Sequence, residues 1–173
     1  MLAAATLELY QQSNSLTCLA RTKASLGRVC AALGDTTRLH TEAVDYQDAA
    51  AFMQIIETAW QRKPFDLVVV WMHSSGGESL KRLLGFLSWQ SRPVKLFHVL
   101  GSAAGDPSKK TDAHGFTPGA SLLYHQIILG FQLTASGSRW LSHEEMSEGT
   151  LRAVELAQDV YTIGTVSPWS ARP

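Results

Sequence analysis

The run Leu67-Val-Val-Val-Trp-Met72 constrains the fold of this chain more than any other feature. The run is continuously apolar and rich in β-branched residues, and Pro64 breaks the chain shortly before it. A strand without a polar face is buried on both sides, which is typical of a parallel sheet covered by helices. The sequence therefore predicts an α/β protein with this run in the core of its sheet.

Predicted strands and helices alternate along most of the chain. Apolar spacing and capping residues predict helices over 2–12, 22–33, 49–62, 80–87 and 142–158. Strands are predicted over 15–20, 38–44, 66–72, 94–100, 123–133 and 160–166. Such alternation buries apolar faces through parallel pairing with right-handed crossovers. We expect one domain, residues 1–173, built as a three-layer α/β sandwich with a mostly parallel sheet.

Composition and charge exclude several classes of function. Hydrophobic residues make up 45% of the chain, charged residues 17%, and the formal net charge is zero. A nucleic-acid partner is not expected, because it would need a basic excess or basic clusters. The longest apolar run is too short to cross a bilayer, and the N-terminus lacks a secretory pattern. We therefore expect a cytoplasmic protein without a membrane partner.

The cysteines and histidines give no pattern typical of a metal site. Cys18 and Cys30 lack CxxC spacing and fall on apolar positions, which predicts buried free thiols rather than a disulfide. The histidines form no HxxxH or Cys/His pair. No metal is expected.

In their order along the chain, these elements resemble a short-chain dehydrogenase/reductase. Met1-Leu-Ala-Ala-Ala resembles the start of the helix that follows the family's first strand, and Trp71-Met-His-Ser-Ser-Gly-Gly77 stands in the place of its Asn-Asn-Ala-Gly stretch. The family's first strand and glycine-rich turn are missing. The resemblance implies an N-terminally truncated Rossmann-like fold. Either Met1 is internal to a longer reading frame, or the protein is a natural truncation with altered function.

The resemblance also implies a cofactor, NADP or NAD. Arg21 matches the residue that meets the adenosine ribose, where arginine suits a 2′-phosphate, and Asp45 matches an acidic residue that borders the adenine. His73 and Ser74 would line the crevice beyond the central strand. Each residue also has a simpler interpretation: a solvent-facing arginine, a helix-capping aspartate and a strand-end turn with a structural histidine.

Ser102 matches the family's catalytic serine, which the resemblance pairs with a Tyr-x-x-x-Lys motif. Tyr124 is the only tyrosine between Ser102 and the C-terminal strand, but Ile128 stands where the lysine belongs, and His125 is a candidate substitute. We predict that Tyr124 does not lie within about 5 Å of Ser102, the reach of direct or water-mediated proton transfer. The implied function is an oxidoreductase acting on an unidentified small molecule. The alternative is a non-catalytic nucleotide-binding or regulatory protein.

Two further features are placed near this site by the sequence. Residues 103–121 are rich in polar residues, Gly and Pro, which predicts a flap over the substrate. Ser138-Arg139-Trp140-Leu141 and Ser167-Pro168-Trp169 put aromatic residues beside turns. A pocket border, a contact within a homo-oligomer and plain packing all remain open for them.

Overall fold

The computed structural model describes residues 1–106 and 117–173. Most of the predicted flap, residues 107–116, lies outside the described residues. The helices are α1 (Ala3–Gln12), α2 (Lys23–Leu33), α3 (Ala49–Arg62), α4 (Gly77–Ser88) and α5 (His143–Leu156). The strands are β1 (Leu16–Ala20), β2 (Leu39–Ala43), β3 (Leu67–Trp71), β4 (Val94–Leu100), β5 (Leu122–Leu129), β6 (Phe131–Thr134), β7 (Gly137–Trp140) and β8 (Val160–Ile163).

Parallel pairing dominates the sheet, as predicted. β1 pairs with β2, and β3, β4, β5 and β8 form a four-stranded parallel sheet in that order, whereas β6 and β7 form an antiparallel hairpin. α2 connects β1 to β2, α4 connects β3 to β4, and α5 lies in the connection from β5 to β8. The α/β architecture expected from the sequence is confirmed.

Alternate residues of β4 build the two apolar layers of the core. Val94 and Leu96 pack into a cluster with side chains of α3 and α4, such as Ile56 and Leu83. The residues between them point the other way, as strand geometry requires. Phe97 and its layer pack with side chains of α5 and β8. Helices therefore cover both faces of the four-stranded sheet.

The helix ends follow the capping signals in the sequence. The Thr22 side chain accepts a hydrogen bond from Ser25 N, and Gly34 ends α2 with a φ of 71°. Asp48 accepts from two backbone amides at the start of α3, and Ser142 and Glu145 form a reciprocal capping box at the start of α5. These predicted caps are confirmed.

The predicted strand over 123–133 is wrong in its second half. β5 ends at Leu129, and β6 then turns away to pair with β7. Gly130 allows this change of direction, because a Cβ at this position would lie 2.2 Å from the Thr165 carbonyl oxygen. Phe131 and Thr165 form a short antiparallel bridge just beyond it. The hairpin brings Trp140 towards the C-terminal residues.

The prediction that Leu67–Met72 forms the core of the sheet also needs correction. β3 is an edge strand of the four-stranded sheet, and Trp71 is 37% exposed. The central and most deeply buried strand is β4. The physical reason is that, within the described part of the chain, β3 has a ladder partner on one side only, and so does β1.

The unpaired sides of β1 and β3 can be assigned from their ladders. Leu16 N donates to Arg38 O, so the even-numbered residues of β1 bond to β2. Because bonding alternates along a parallel strand, the amides of Thr17 and Leu19 point away from β2. By the same alternation, Lys95 N bonds to Asp66 O, and the amides of the odd-numbered residues in β3 point away from β4. Among the described residues these amides have no strand partner.

Three smaller sequence expectations can be compared with the structure. Cys18 and Cys30 are free thiols, although both are half-buried rather than buried. No group of three metal-ligating side chains is found in residues 1–106 and 117–173. Over the same ranges, every helix is too short or too polar to span a membrane.

Candidate functional site

The residues predicted to bind a cofactor follow the carboxyl ends of β1, β2 and β3. Arg21 comes directly after β1, Asp45 two residues after β2, and His73 and Ser74 just after β3. A hydrogen bond of 3.2 Å from Gln47 Nε2 to Ser75 Oγ joins the loops that follow β2 and β3. The carboxyl edge of an open α/β sheet is where ligands bind.

Arg21 places an exposed positive charge at this edge of the sheet. Its side chain is exposed, and within residues 1–106 and 117–173 it makes no ion pair or hydrogen bond. Thr22, the next residue, caps α2. The guanidinium is thus available to an anionic ligand without first breaking an internal contact.

Asp45 has a structural role in the turn before α3. Its Oδ1 accepts a hydrogen bond of 3.0 Å from Gln47 N, while Asp48 is the residue that caps the helix. Asp45 is exposed, and its second carboxylate oxygen faces no donor among the described residues. A ligand hydroxyl could therefore reach this carboxylate without displacing the turn.

The loop after β3 is exposed at the surface but tightly packed beneath it. His73 is exposed and its ring lies 4.8 Å from the Trp71 ring. Ser74 begins a short 3-10 turn that ends at Gly76, where a Cβ would lie 2.7 Å from Cδ2 of Tyr46. Tyr46, which sequence reasoning did not single out, therefore sets how closely this loop approaches the end of β2.

Ser102 lies at the end of β4, and its hydroxyl is already engaged. The residue is 8% exposed, and its Oγ accepts a hydrogen bond of 3.0 Å from Arg172 Nε. The Arg172 guanidinium lies over two aromatic rings, 5.0 Å from the centre of Trp140 and 5.3 Å from that of Trp169. Arg172 was missed by sequence reasoning, although the two tryptophans were singled out beside turns.

Tyr124 does not share this end of the sheet. It pairs in register with Leu96, and Ser102 lies six residues further along, a distance of roughly 20 Å at 3.3 Å per residue. The Tyr124 hydroxyl is hydrogen-bonded to His98 Nδ1 at 2.8 Å, and burial raises the pKa of the phenol above its ordinary value. This agrees with the prediction that Tyr124 is not a partner of Ser102.

His125 does not replace the missing lysine beside Tyr124. Successive residues of a strand point to opposite faces, and His125 stacks on Phe97 with ring centres 4.6 Å apart. Its Nδ1 lies 2.9 Å from Gln158 O, while its buried Nε2 has no partner in the described part of the chain. Ile128, where the lysine was sought, is buried.

The residues present fit a dinucleotide in part. The adenosine half has an exposed cation and an exposed carboxylate at the carboxyl edge. Met1 and Leu2, the two described residues before α1, include no glycine and so do not supply the turn that would hold a diphosphate. A cleft of about 320 Å³ beside the first turn of α1 is lined partly by Glu144, whose charge would oppose a diphosphate.

Comparisons with solved structures identify the fold. An alcohol dehydrogenase from Comamonas testosteroni specific for bulky-bulky ketones aligns with a TM-score of 0.67 at 10% identity, covering 97% of this chain and 84% of that one. A short-chain dehydrogenase from Sphingobium yanoikuyae, in complex with NADPH, aligns with a TM-score of 0.66 at 12% identity, covering 98% and 86%. This chain has the short-chain dehydrogenase/reductase fold.

A third structure with the same fold is RhlG from Pseudomonas aeruginosa in complex with NADP, with a TM-score of 0.59 at 14% identity, covering 94% of this chain and 89% of that one. No family profile and no curated protein sequence matches the chain. The likeness to short-chain dehydrogenases/reductases is therefore a likeness of fold. At these identities, it does not extend to individual site residues.

Proposed function

We propose that this protein binds NADP(H) at the carboxyl edge of its sheet, with the adenosine half beside β1 and β2. The observation that carries the proposal is Arg21, an exposed cation without an internal partner in the described chain, directly at the end of β1. A guanidinium matches a phosphate group through paired, charge-assisted hydrogen bonds. It would favour the 2′-phosphate of NADP over the bare ribose of NAD.

A cofactor titration tests the proposal. Arg21→Ala should weaken NADPH binding by roughly 1 to 3 kcal/mol and leave NADH binding nearly unchanged, since only NADPH carries the 2′-phosphate. Arg62→Ala is a matched control, because Arg62 is an exposed arginine at the C-terminal end of α3, on the opposite edge of the sheet. Equal losses for both cofactors in Arg21→Ala would refute the assignment.

The finer proposal is an oxidoreductase that reduces or oxidises a small molecule near Ser102. In support, Ser102 follows the buried central strand, at the edge where the cofactor is proposed to bind. A serine hydroxyl at that place can polarise a carbonyl oxygen. Turnover of NADPH with a panel of aldehydes and ketones, reduced more than tenfold by Ser102→Ala, would support the enzyme.

The second candidate is a nucleotide-binding protein without catalysis. Two observations favour it: Arg172 occupies the Ser102 hydroxyl, and Tyr124 is bonded to His98 far along the sheet from Ser102. This candidate predicts saturable NADPH binding without consumption of NADPH across the same panel. The two candidates are therefore separated by one set of measurements on one protein.

A further inference from the structure

The contact between Arg172 and Ser102 leaves most of the guanidinium unused. Nε donates to Ser102 Oγ, but Nη1 and Nη2 have no hydrogen-bond or ion-pair partner in residues 1–106 and 117–173. The Ser102 hydroxyl accepts this bond, and no acceptor for its own proton is found among the same residues. Five polar hydrogens, four on the two Nη groups and one on the hydroxyl, therefore remain available around one buried serine.

The orientation of the guanidinium is fixed by its surroundings. Trp140 and Trp169 both lie against it, and a planar cation over an aromatic face is held by the ring's negative potential. The residue before Arg172 is anchored as well, because Ser138 Oγ donates to Ala171 O. Arg172 itself remains exposed, so a ligand can reach its outer edge.

The local charge balance favours an anion. Glu145, five residues after Trp140, is held by Arg139 in a bidentate pair of 2.8 and 2.9 Å. That carboxylate is thereby neutralised, whereas the positive charge of Arg172 is not paired within the described residues. A charge on a hydrogen-bond donor roughly doubles the strength of the bond.

We propose that Arg172 and Ser102 form a subsite for the carboxylate of an organic acid. The two Nη groups match the two oxygens of a carboxylate in a fork, and the Ser102 hydroxyl donates a further hydrogen bond to one of them. The exposed parts of Trp140 and Trp169 flank the apolar remainder of the acid. The subsite does not depend on the proposed NADP(H) site, because neither residue is needed for that site.

Benzoate, a small aromatic carboxylate, is the probe of choice, and benzamide is its neutral counterpart. Binding is followed by ligand-observed NMR in the absence of any nucleotide. The wild-type protein should bind benzoate, and benzamide at least about tenfold more weakly, the factor expected for loss of a charge-assisted hydrogen bond. Arg172→Gln should weaken benzoate by a similar factor, and Ser102→Ala by a smaller one.

Arg152→Gln is the matched control, because Arg152 is an exposed arginine paired with Glu155 on α5. It should leave benzoate binding unchanged, and Arg172→Lys should be intermediate, since it keeps the charge but loses the fork. Thermal unfolding checks that each variant is folded.

Equal affinity for benzoate and benzamide, or equal effects of Arg172→Gln and Arg152→Gln, would overturn the proposal. Binding of inorganic phosphate in preference to benzoate would overturn the choice of a carboxylate. A failure of NADPH to bind leaves these outcomes unaffected.

Discussion

The hydroxyl of Tyr124 lies 2.8 Å from Nδ1 of His98, a buried residue on the neighbouring strand β4. The two side chains share the face of the sheet that α3 and α4 cover, because Leu96, the register partner of Tyr124, packs in that layer. A phenol in this position is a structural group. Its burial raises its pKa, so it stays neutral across the physiological range.

Tyr124→Phe should therefore alter stability rather than reductase activity. Loss of one partly buried hydrogen bond should cost about 1 kcal/mol in the free energy of unfolding, measured by urea denaturation. Any NADPH-dependent activity should change less than tenfold, whereas Ser102→Ala should change it more. A thousandfold loss of activity in folded Tyr124→Phe would instead restore the ordinary tyrosine mechanism of the family.

The raised pKa of Tyr124 has a consequence at alkaline pH. The folded pKa lies above the ordinary value of 10.0, so folding favours the neutral phenol. Its contribution to stability is complete below pH 10 and is lost as the pH rises through the folded pKa. In Tyr124→Phe, the fall in stability above pH 10 should be shallower than in the wild type. The same slope in both proteins would argue against a buried phenol.

Two glycines in helices should respond in opposite directions to alanine. In α5, a Cβ on Gly149 would lie 2.6 Å from the Ile163 side chain, whereas in α4 a Cβ on Gly85 would meet nothing within 4 Å. Gly149→Ala should destabilise the fold by about 1 to 3 kcal/mol through overpacking. Gly85→Ala should stabilise it by about 0.5 to 1 kcal/mol through helix propensity. Equal thermal shifts in the two variants would contradict this packing.

The unpaired sides of β1 and β3 should be visible in amide hydrogen exchange. The amides of Leu19 and Val69, which point away from their ladders, should exchange faster than those of Cys18 and Val68, which alternation assigns to the ladders. Each pair is its own control, because the residues are adjacent. Slow exchange at both Leu19 and Val69 would mean that another strand covers these edges, as it would in a homo-oligomer.

Extension of the chain upstream of Met1 tests whether a further strand belongs between β1 and β3. If the preceding codons, read in frame, encode a β-branched run and glycines, the extended protein should melt at a higher temperature and aggregate less than residues 1–173. Differential scanning calorimetry and light scattering measure both effects. Matching melting temperatures and matching monodispersity would count against a missing strand between β1 and β3.

The ion pair between Arg139 and Glu145 should set the pH at which the Glu145 carboxyl group titrates. The hydrogen bonds from Arg139, and then that from Ser142 N, lower the pKa of Glu145 to about 2 from its ordinary value of 4.5. The pair therefore contributes to stability above pH 4.5, and the contribution is lost as the pH falls towards 2. Carboxyl-carbon NMR should show the low midpoint in the wild type. Arg139→Gln should raise it towards the ordinary value, and Arg152→Gln should not.

Local signals in the sequence predict most of the fold. The caps of α2, α3 and α5 involve contacts within three residues, so spacing alone reveals them. The split of the sheet beside β3 depends on which strands become neighbours, which an apolar run cannot specify. The turn from β5 into β6 depends on the close approach of Gly130 to Thr165, two residues far apart in the chain.

The sequence predicts the residues of the candidate site less completely than it predicts the fold. The order of elements was sufficient to assign Arg21, Asp45, His73, Ser74 and Ser102 to strand ends, since each follows a predicted strand. Arg172 could not be found in this way, because it lies 70 residues from Ser102 in the chain and belongs to no helix or strand. Its two aromatic neighbours were the only signal.

The split between β1 and β3 also divides the described strands into sheets that share no ladder of hydrogen bonds. β1, α2 and β2 form a βαβ unit whose ladder hydrogen bonds run only between its own two strands. Side-chain packing, such as that of Leu19 against the cluster around β4, joins this unit to the four-stranded sheet without a shared ladder. Opening of this unit would therefore leave the ladders of the four-stranded sheet intact. Because Arg21 directly follows β1, binding of NADP(H) at the proposed site would stabilise the packing of this unit against the four-stranded sheet.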